Sequence, residues 1–266
     1  MRPIIFVDVD NTLYDLEGEV GALSYFLPLP FTFPEPPKHY ETPWENWRYR
    51  HGGEIYGPGD DLCEAITHLK REDALEALGL LPGGDYKAAQ KDSELARKLF
   101  EETARNVWWW LVQQVHELMW REPDFVEPYL GAEEAIKRLR KCAADLYLMT
   151  VRPNHPALYD PTPWVRRWFG DVKVMVFPSE KEKVSKAFAL LHGDWLHCEA
   201  DGLIIVDDNP RVFELAERGI RFYQRRMDFS WAWFSLTKPW SHQLPKNVVT
   251  AGKWKELAEK VLEVVG

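Results

Sequence analysis

The most informative stretch of the sequence is IIFVDVDNTL, residues 4–13. Its four consecutive apolar residues, Ile4 to Val7, predict a strand that is buried on both faces of a parallel sheet. The strand ends in two acids, Asp8 and Asp10, and ligands of open α/β sheets bind at the carboxyl ends of the strands. Two acids this close repel each other unless a cation or a proton separates them, which indicates a functional site. The Asp-Xaa-Asp pattern alone also fits a calcium loop or a helix N-cap.

Two later segments repeat this design. DLYLMTVR, residues 145–152, is an apolar strand pattern that ends in the hydroxyl of Thr150, and LIIVDDN, residues 203–209, ends in Asp207 and Asp208. Between them, three lysines stand near the start of an expected helix: Lys181, Lys183 and Lys186. An acid, a hydroxyl, a lysine and a distal acid pair are the groups that a phosphoryl-transfer site needs, and they occur here in that order.

With these four motifs in order, the chain resembles the haloacid dehalogenase superfamily of phosphohydrolases, which use an aspartate nucleophile. The resemblance covers residues 1–13 and about 128–266. It implies a Rossmann-like α/β core with a doubly wound parallel sheet. Residues 14–127 are then expected to form a mostly helical cap domain, inserted between the first and second motifs, that closes over the active site and selects the substrate.

Composition limits the classes of partner. The chain has 266 residues, enough for a core with an inserted domain, and its 45% hydrophobic and 28% charged residues are ordinary for a globular protein. The formal net charge is -9, whereas proteins that bind long stretches of nucleic acid usually have a basic surface. Since no apolar stretch is long enough to span a bilayer and the N-terminus leads straight into a strand, we expect a cytoplasmic protein with no membrane partner. The three cysteines, Cys63, Cys142 and Cys198, are expected to be buried and reduced.

Apolar runs predict the strands of the core. There are five: Ile4 to Val7, Leu146 to Met149, Val172 to Phe177, Leu203 to Val206 and Ile220 to Tyr223. Helical patterns separate most of these runs, which is typical of a parallel sheet covered on both faces.

Helix signals complete the expected organisation. Residues 211–218 predict a helix that Gly219 ends, and the segment from Trp254 onward predicts an amphipathic helix that packs on the sheet. In the insertion we expect one helix from near Asp60 and another over about 92–120, ended by Pro123.

The resemblance assigns roles to the acids. It implies that Asp8 attacks phosphorus and forms an aspartyl-phosphate, and that Mg²⁺ is bound by Asp8, the main-chain carbonyl of Asp10 and the side chain of Asp208. Asp207 is the alternative metal ligand. Asp10 is expected to protonate the leaving oxygen and then to activate water, a role that calls for a raised pKa. Because dehalogenases of the superfamily lack this second acid, the haloacid reaction is disfavoured.

The remaining predicted site residues bind phosphate. Thr150 is expected to donate a hydrogen bond to a phosphoryl oxygen, and a lysine to balance its charge. Lys183 is preferred over Lys181 and Lys186 because it directly precedes an apolar register that begins at Val184. Arg152 is a candidate for contacting substrate phosphate, with a structural salt bridge as the alternative.

Two features bear on the substrate. TVRPNHPALYDPTPWVRRW, residues 150–168, is similar to the phosphatase domain of phage-type polynucleotide kinase/3′-phosphatases, whereas the large insertion is similar to that of 5′(3′)-deoxyribonucleotidases. We therefore expect a Mg²⁺-dependent phosphomonoesterase that acts on a small phosphorylated substrate, a nucleotide. The alternatives are a polynucleotide 3′-phosphatase that takes a nucleic-acid end, a sugar-phosphate phosphatase and a non-catalytic binding protein. A monomer and a homodimer both remain open.

Overall fold

The computed structural model describes residues 2–16, 19–20, 112–152, 160–196, 200–224 and 229–266. The chain divides into two compact units, Met1–Asp15 with His116–Gly266 and Leu16–Val115. The first unit thus resumes at His116, whereas the motif pattern sets the end of the insertion at residue 127. The helix expected near Asp60, and most of the one expected over 92–120, lie outside the described residues, so a helical cap remains a prediction.

The first unit is built on a six-stranded sheet in which every neighbouring pair is parallel, in the order β3-β2-β1-β4-β5-β6. Its strands are β1 Pro3–Asp8, β2 Asp145–Val151, β3 Lys173–Phe177, β4 Gly202–Val206, β5 Ser230–Leu236 and β6 Val248–Ala251. The strand order reverses between β1 and β4, and such a switch point opens a crevice at the carboxyl ends of the strands. The doubly wound parallel sheet is therefore confirmed.

Helices cover both faces of this sheet. Residues 112–121 are helical, and the part of the chain that the structure describes has five α-helices after them: α1 Ala132–Cys142, α2 Thr162–Phe169, α3 Glu180–Leu196, α4 Pro210–Tyr223 and α5 Trp254–Val265. Helices α3 and α4 pack together, with α3 against β2 and β3, while α1 and α5 pack together, with α5 against β5 and β6. The C-terminal amphipathic helix is thus confirmed, with Trp254 and Leu257 in its buried stripe.

Strand β1 shows why the central strands are apolar on both sides. Ile4 and Phe6 belong to the core under α3 and α4, and the alternation of a strand turns Ile5 and Val7 to the opposite face. All four residues are at most 2% exposed. A strand with no solvent-facing side needs an unbroken apolar run, as residues 4–7 predict.

One predicted strand is wrong. Ile220 to Tyr223 is the last turn of α4, and Ile220 continues the buried stripe of Val212, Phe213 and Ala216 at helical spacing. A four-residue apolar run fits either element, and here the helical period extends through it. The fifth strand is instead SWAWFSL, residues 230–236, and the sixth lies at the edge of the sheet.

Gly219 consequently does not end a helix. It lies inside α4, where an added Cβ would stand 2.3 Å from Cε2 of Phe188. The Phe188 ring is buried and stacks on Tyr223 with a centroid distance of 5.0 Å, so it has little room to withdraw. The glycine is therefore explained by the close approach of α3.

Two further sequence expectations meet the structure here. In the described residues no helix is both long enough and apolar enough to cross a membrane. Cys142 is a free cysteine and is only partly buried, so it does not match the fully buried state expected of the three. Cys63 and Cys198 lie outside the described residues.

We expect Gly219→Ala to destabilise the protein by about 1 kcal/mol or more, since overpacking against the Phe188 ring outweighs the better helix propensity of alanine. Urea unfolding followed by circular dichroism measures the change. The matched control is Gly193→Ala in α3, where an added Cβ meets nothing within 4 Å. That variant should be stabilised by about 0.5–1 kcal/mol. Equal stabilisation of both variants would contradict the close approach.

Candidate active site

The sheet register brings the predicted acids to one edge. Val7 of β1 pairs with Val206 of β4, so Asp8 and Asp207 follow side by side at the carboxyl ends of two adjacent strands. On the other side of β1, Asp8 pairs with Met149, and Thr150 comes one residue later in β2. The edge therefore collects groups from three neighbouring strands, as expected from the crevice at the switch point.

Asp8, Asp207 and Asp208 form an acidic cluster. Each offers a carboxylate oxygen within 4.8 Å of the others, and their exposures are 7%, 1% and 9%. Carboxylate oxygens are the donors that hard divalent cations such as Mg²⁺ prefer. The donor set therefore fits the divalent ion that the sequence predicts.

Lys183 lies inside this cluster. Its Nζ donates hydrogen bonds to Oδ1 of Asp8 and, at 2.6 Å, to Oδ2 of Asp207. Lys183 is 5% exposed, whereas Lys181 and Lys186 on the same helix are exposed. Of the three candidate lysines, Lys183 is the one that reaches the acids.

Asp207 is also held from the main chain. Its Oδ1 accepts a hydrogen bond from the backbone N–H of Asn209 at 2.9 Å, and its own N–H donates to the carbonyl of Phe234 at 3.1 Å. Both carboxylate oxygens of Asp207 are thus engaged by donors of the protein. Asp207 therefore orients both Lys183 and the loop that follows β4.

Burial dominates the electrostatics of the cluster. It raises the pKa of Asp8 well above its ordinary value, with Lys183 opposing and the neighbouring acids adding to the shift. Burial and Asp207 raise the pKa of Asp208 to about 7, although Lys238 and Lys183 oppose the shift. For Lys183, burial would lower the pKa, but Asp207 and Asp8 outweigh it and the pKa rises. The pKa values of Asp8 and Asp208 stay raised despite the nearby lysines, and a divalent cation would relieve the repulsion within the cluster.

Asp10 lies in a second cluster. Its Oδ2 accepts hydrogen bonds from the hydroxyl of Thr150 and, at 3.5 Å, from Nε of Arg152. Its Oδ1 accepts from the hydroxyl of Tyr14 at 2.6 Å and from Nη2 of Arg152 at 3.0 Å, and Nε2 of His116 lies 3.2 Å from it. Residues far apart in the chain therefore converge on one carboxylate.

The pKa of Asp10 differs from the sequence expectation. Burial alone would raise it, but Arg152, His116 and the hydroxyl of Thr150 outweigh burial and hold the pKa well below the ordinary value of a carboxyl group. The expected raised pKa is therefore wrong for the arrangement seen in this structure. Tertiary packing places Arg152 and His116 next to Asp10, and the local sequence around Asp10 does not show this. Burial, together with Arg152, lowers the pKa of His116 itself, which favours its neutral form near pH 7.

Thr150 and Arg152 are the predicted phosphate-binding residues, and both contact Asp10 here. Arg152 is 3% exposed, and its backbone N–H donates to the carbonyl of Phe177 at 2.9 Å. The alternative of a structural salt bridge is thus realised for Arg152 in this structure. For the Thr150 hydroxyl to bind substrate phosphate, its hydrogen bond must move from Asp10 to the ligand.

A tight turn after β1 sets the orientation of Asp8 and Asp10. Asn11 has a φ of 59°, a left-handed conformation that asparagine tolerates better than most residues. The turn is closed by the N–H of Leu13, which donates to the carbonyl of Val9 at 2.9 Å. From the C-terminal helix, Nε1 of Trp254 donates to the carbonyl of Thr12 at 2.8 Å. The last helix thus anchors the first motif.

Three residues near these clusters are absent from the sequence predictions: Tyr14, His116 and Lys238. Tyr14 directly follows the first motif, so its neighbourhood to Asp10 could have been suspected from spacing alone. Lys238 follows β5, which the sequence pattern does not identify, and its Nζ lies 4.3 Å from the ring centroid of Tyr129. No local signal in the sequence links His116 to Asp10, 106 positions earlier in the chain (116 − 10).

Comparisons with known proteins give structural similarity at low sequence identity. No protein-family model matches the chain, and no curated protein matches it. A solved protein of Haemophilus somnus 129Pt, described as a predicted phosphoglycolate phosphatase, has a TM-score of 0.47 and 12% identity, covering 100% of this chain and 98% of its own. A haloacid dehalogenase-like family hydrolase from Streptococcus pneumoniae has a TM-score of 0.46 and 12% identity, with coverages of 100% and 99%. L-2-haloacid dehalogenase from Xanthobacter autotrophicus has a TM-score of 0.43 and 12% identity, with coverages of 98% and 99%.

We expect Mg²⁺ to raise the melting temperature of the wild-type protein, because the ion would neutralise repulsion within the acidic cluster. A ligand at about a hundredfold its Kd stabilises a protein by about 3 kcal/mol. Asp208→Asn should lose most of this response and should also be more stable than the wild type without metal, since it removes one of three crowded charges. Differential scanning calorimetry with and without Mg²⁺ measures both effects.

The matched control for this test is Asp171→Asn, at an exposed position after α2. This variant should respond to Mg²⁺ as the wild type does. An equal Mg²⁺ response in the Asp208→Asn variant would show that the acidic cluster is not the metal site.

Proposed function

We propose that this protein is a Mg²⁺-dependent phosphomonoester hydrolase that works through an aspartyl-phosphate. The observation that carries the proposal is that two acids at the end of one strand, Asp8 and Asp10, have different surroundings. Asp8 sits in a buried acidic cluster with Lys183, whereas Asp10 bonds to the hydroxyl of Thr150. The four motifs that provide these groups resemble those of the haloacid dehalogenase superfamily, in the same order.

Asp8 and Asp208 are the proposed side-chain ligands of the metal, with the main-chain carbonyl of Asp10 as a third ligand. Asp207 is less suited, because its two oxygens already accept hydrogen bonds from Lys183 and from the backbone of Asn209. When bound, Mg²⁺ supplies Lewis-acid stabilisation of the charge on the transferring phosphoryl group.

In the first half of the reaction, a carboxylate oxygen of Asp8 attacks phosphorus in line with the ester bond. The bond from phosphorus to the ester oxygen breaks, and its electron pair goes to that oxygen. Asp10, in its protonated form, gives its proton to the same oxygen, so the alcohol leaves neutral. The phosphoryl group is now an acyl phosphate on Asp8.

In the second half, water attacks phosphorus of the aspartyl-phosphate. Asp10 takes a proton from the water, and the bond from phosphorus to the Asp8 oxygen breaks. Inorganic phosphate leaves and the Asp8 carboxylate is restored, while Asp10 is again protonated. Lys183 stays next to Asp8 throughout and offsets negative charge on the transferring group.

The low pKa of Asp10 in this structure is compatible with this role. A phosphoryl group that binds at the strand ends competes for the Thr150 hydroxyl and the Arg152 guanidinium, the donors that now stabilise ionised Asp10. Losing those donors and gaining an anion nearby both raise the pKa of a carboxyl group. Substrate binding would therefore prepare Asp10 to hold a proton.

For the substrate we propose a nucleotide rather than a sugar phosphate or a nucleic-acid end. Residues 150–168 resemble a nucleic-acid phosphatase segment, and the length of the insertion resembles that of deoxyribonucleotidases, which makes a nucleoside phosphate the shared element. The net charge of -9 disfavours a long polyanion and favours a single small one.

We expect the protein to hydrolyse p-nitrophenyl phosphate with Mg²⁺, and Asp8→Asn to abolish turnover because it removes the nucleophile. Asp10→Asn should lower kcat by about 10²–10⁴-fold, the usual contribution of a general acid–base residue. Release of p-nitrophenolate and of inorganic phosphate measures both. Asp171→Asn serves as the control and should keep wild-type rates. A folded wild type that hydrolyses no phosphomonoester would leave the non-catalytic binding protein as the better account.

A substrate panel tests the nucleotide assignment separately. We expect kcat/KM for deoxynucleoside monophosphates to exceed that for hexose phosphates and for 3′-phosphorylated oligonucleotides by about tenfold or more, which corresponds to about 1.4 kcal/mol of differential transition-state binding. Phosphate release at matched concentrations measures the ratios. A preference for the oligonucleotide end would establish the polynucleotide 3′-phosphatase instead.

A further inference from the structure

The two oxygens of Asp10 have different kinds of partner. Oδ2 accepts from Thr150 and from Nε of Arg152, and both residues are needed for phosphate in the proposed reaction. Oδ1 accepts from Nη2 of Arg152 at 3.0 Å and from Tyr14 at 2.6 Å, and it lies 3.2 Å from Nε2 of His116. Neither Tyr14 nor His116 has a part in phosphate binding. Arg152 is thus shared by the two oxygens, but Oδ1 has two further partners, Tyr14 and His116, that the proposed phosphate binding does not use.

We propose that His116 is a positioning residue that holds Oδ1 of Asp10, so that Oδ2 is the oxygen that carries the proton to and from the substrate. This inference rests on the proposed function. When a phosphoryl group takes the hydrogen bonds of Thr150 and Arg152, Asp10 loses its partners on Oδ2 and the Arg152 bond on Oδ1, and it keeps Tyr14 and His116 on Oδ1. Without that support the carboxyl group would be free to rotate about its side-chain bonds.

The surroundings of His116 suit this role. The side chain of His116 is 7% exposed, so its contact with Asp10 is shielded from water. A hydrogen bond in such a buried place is stronger than one in solution. Nη2 of Arg152 lies 3.0 Å from the same oxygen of Asp10 and already supplies a full positive charge there. A neutral imidazole that donates from Nε2 can orient a carboxylate without adding a second full charge to the site.

His116 also has a distinctive place in the chain. It is the first residue of the stretch that returns to the unit carrying the sheet after residues 16–115. The helical residues 112–121 therefore deliver a side chain directly to Asp10. Met119 lies one turn further along this segment, and its sulfur accepts a hydrogen bond from Nη2 of Arg152 at 3.8 Å. The segment thus supports both Asp10 and its main cationic partner.

The experiment compares His116→Leu, which removes the donor, with His116→Gln, whose amide nitrogen can take the place of Nε2. Two substrates are used, p-nitrophenyl phosphate and an alkyl phosphomonoester such as a nucleoside monophosphate. The p-nitrophenolate ion leaves readily without a proton, whereas an alkoxide needs one. The control is His192→Leu in α3, at an exposed position that packs against Tyr223.

We expect His116→Leu to lower kcat/KM for the alkyl ester by about tenfold or more and to affect the aryl ester less, with His116→Gln retaining most of the wild-type ratio. A merely structural role would change both esters equally and would not be rescued by glutamine. Equal effects on both substrates, or no effect, would overturn the proposal while leaving the hydrolase assignment intact. Failure of Asp8→Asn to affect turnover would instead overturn the hydrolase assignment.

A second measurement does not depend on activity. In a crystal structure of the His116→Leu variant with inorganic phosphate, Oδ1 of Asp10 should leave the position it has in the wild type, and in the His116→Gln variant it should stay. An unmoved Asp10 in the leucine variant would contradict the positioning role. If His116→Leu fails to fold, His116→Asn, whose amide is too short to reach Oδ1, replaces it in both experiments.

Discussion

The ammonium group of Lys183 lies between two buried carboxylates, and the rest of the site depends on this contact. It joins Asp8 at the end of β1 to Asp207 at the end of β4 and ties both to α3. Removing two charges from water costs several kcal/mol each, and attraction to an enclosed cation offsets much of that cost. Without Lys183, the adjacent central strands would end in acids that repel each other. The cation therefore allows the switch point of the sheet to be acidic.

The second constraint is that two acids separated by one residue experience opposite environments. Burial, with the neighbouring acids adding to it, raises the pKa of Asp8 although Lys183 opposes the shift, whereas the donors around Asp10 outweigh burial and lower its pKa. Pairs of titratable groups whose environments differ in this way are typical of acid–base chemistry. The tight turn at Asn11 separates the two side chains, and the hydrogen bond from Trp254 to Thr12 fixes that turn. The C-terminal helix is thus part of the site's construction.

Much of this arrangement could be predicted from the sequence, because it follows from strands that are buried on both faces and from their parallel pairing. The apolar runs before Asp8, Thr150 and Asp207 specify neighbouring strands whose carboxyl ends meet at one edge. The apolar register after Lys183 also indicates which lysine faces inward. The prediction of a strand from Ile220 to Tyr223 was wrong because four apolar residues fit a helix as well as a strand.

The remaining features depend on tertiary contacts that local patterns do not contain. Strand β5 is rich in tryptophan and phenylalanine with partial exposure, so it lacks the unbroken aliphatic run of the central strands. The pKa of Asp10 follows from Arg152 and His116, each more than a hundred positions away in the chain. The single measurement that tests the central claim most directly is chemical trapping of the acyl phosphate. Enzyme quenched in acid during turnover of p-nitrophenyl phosphate, reduced with borohydride and analysed by peptide mass spectrometry should carry homoserine in place of Asp8. Reduction at any other acid, or at none while turnover proceeds, would contradict the account.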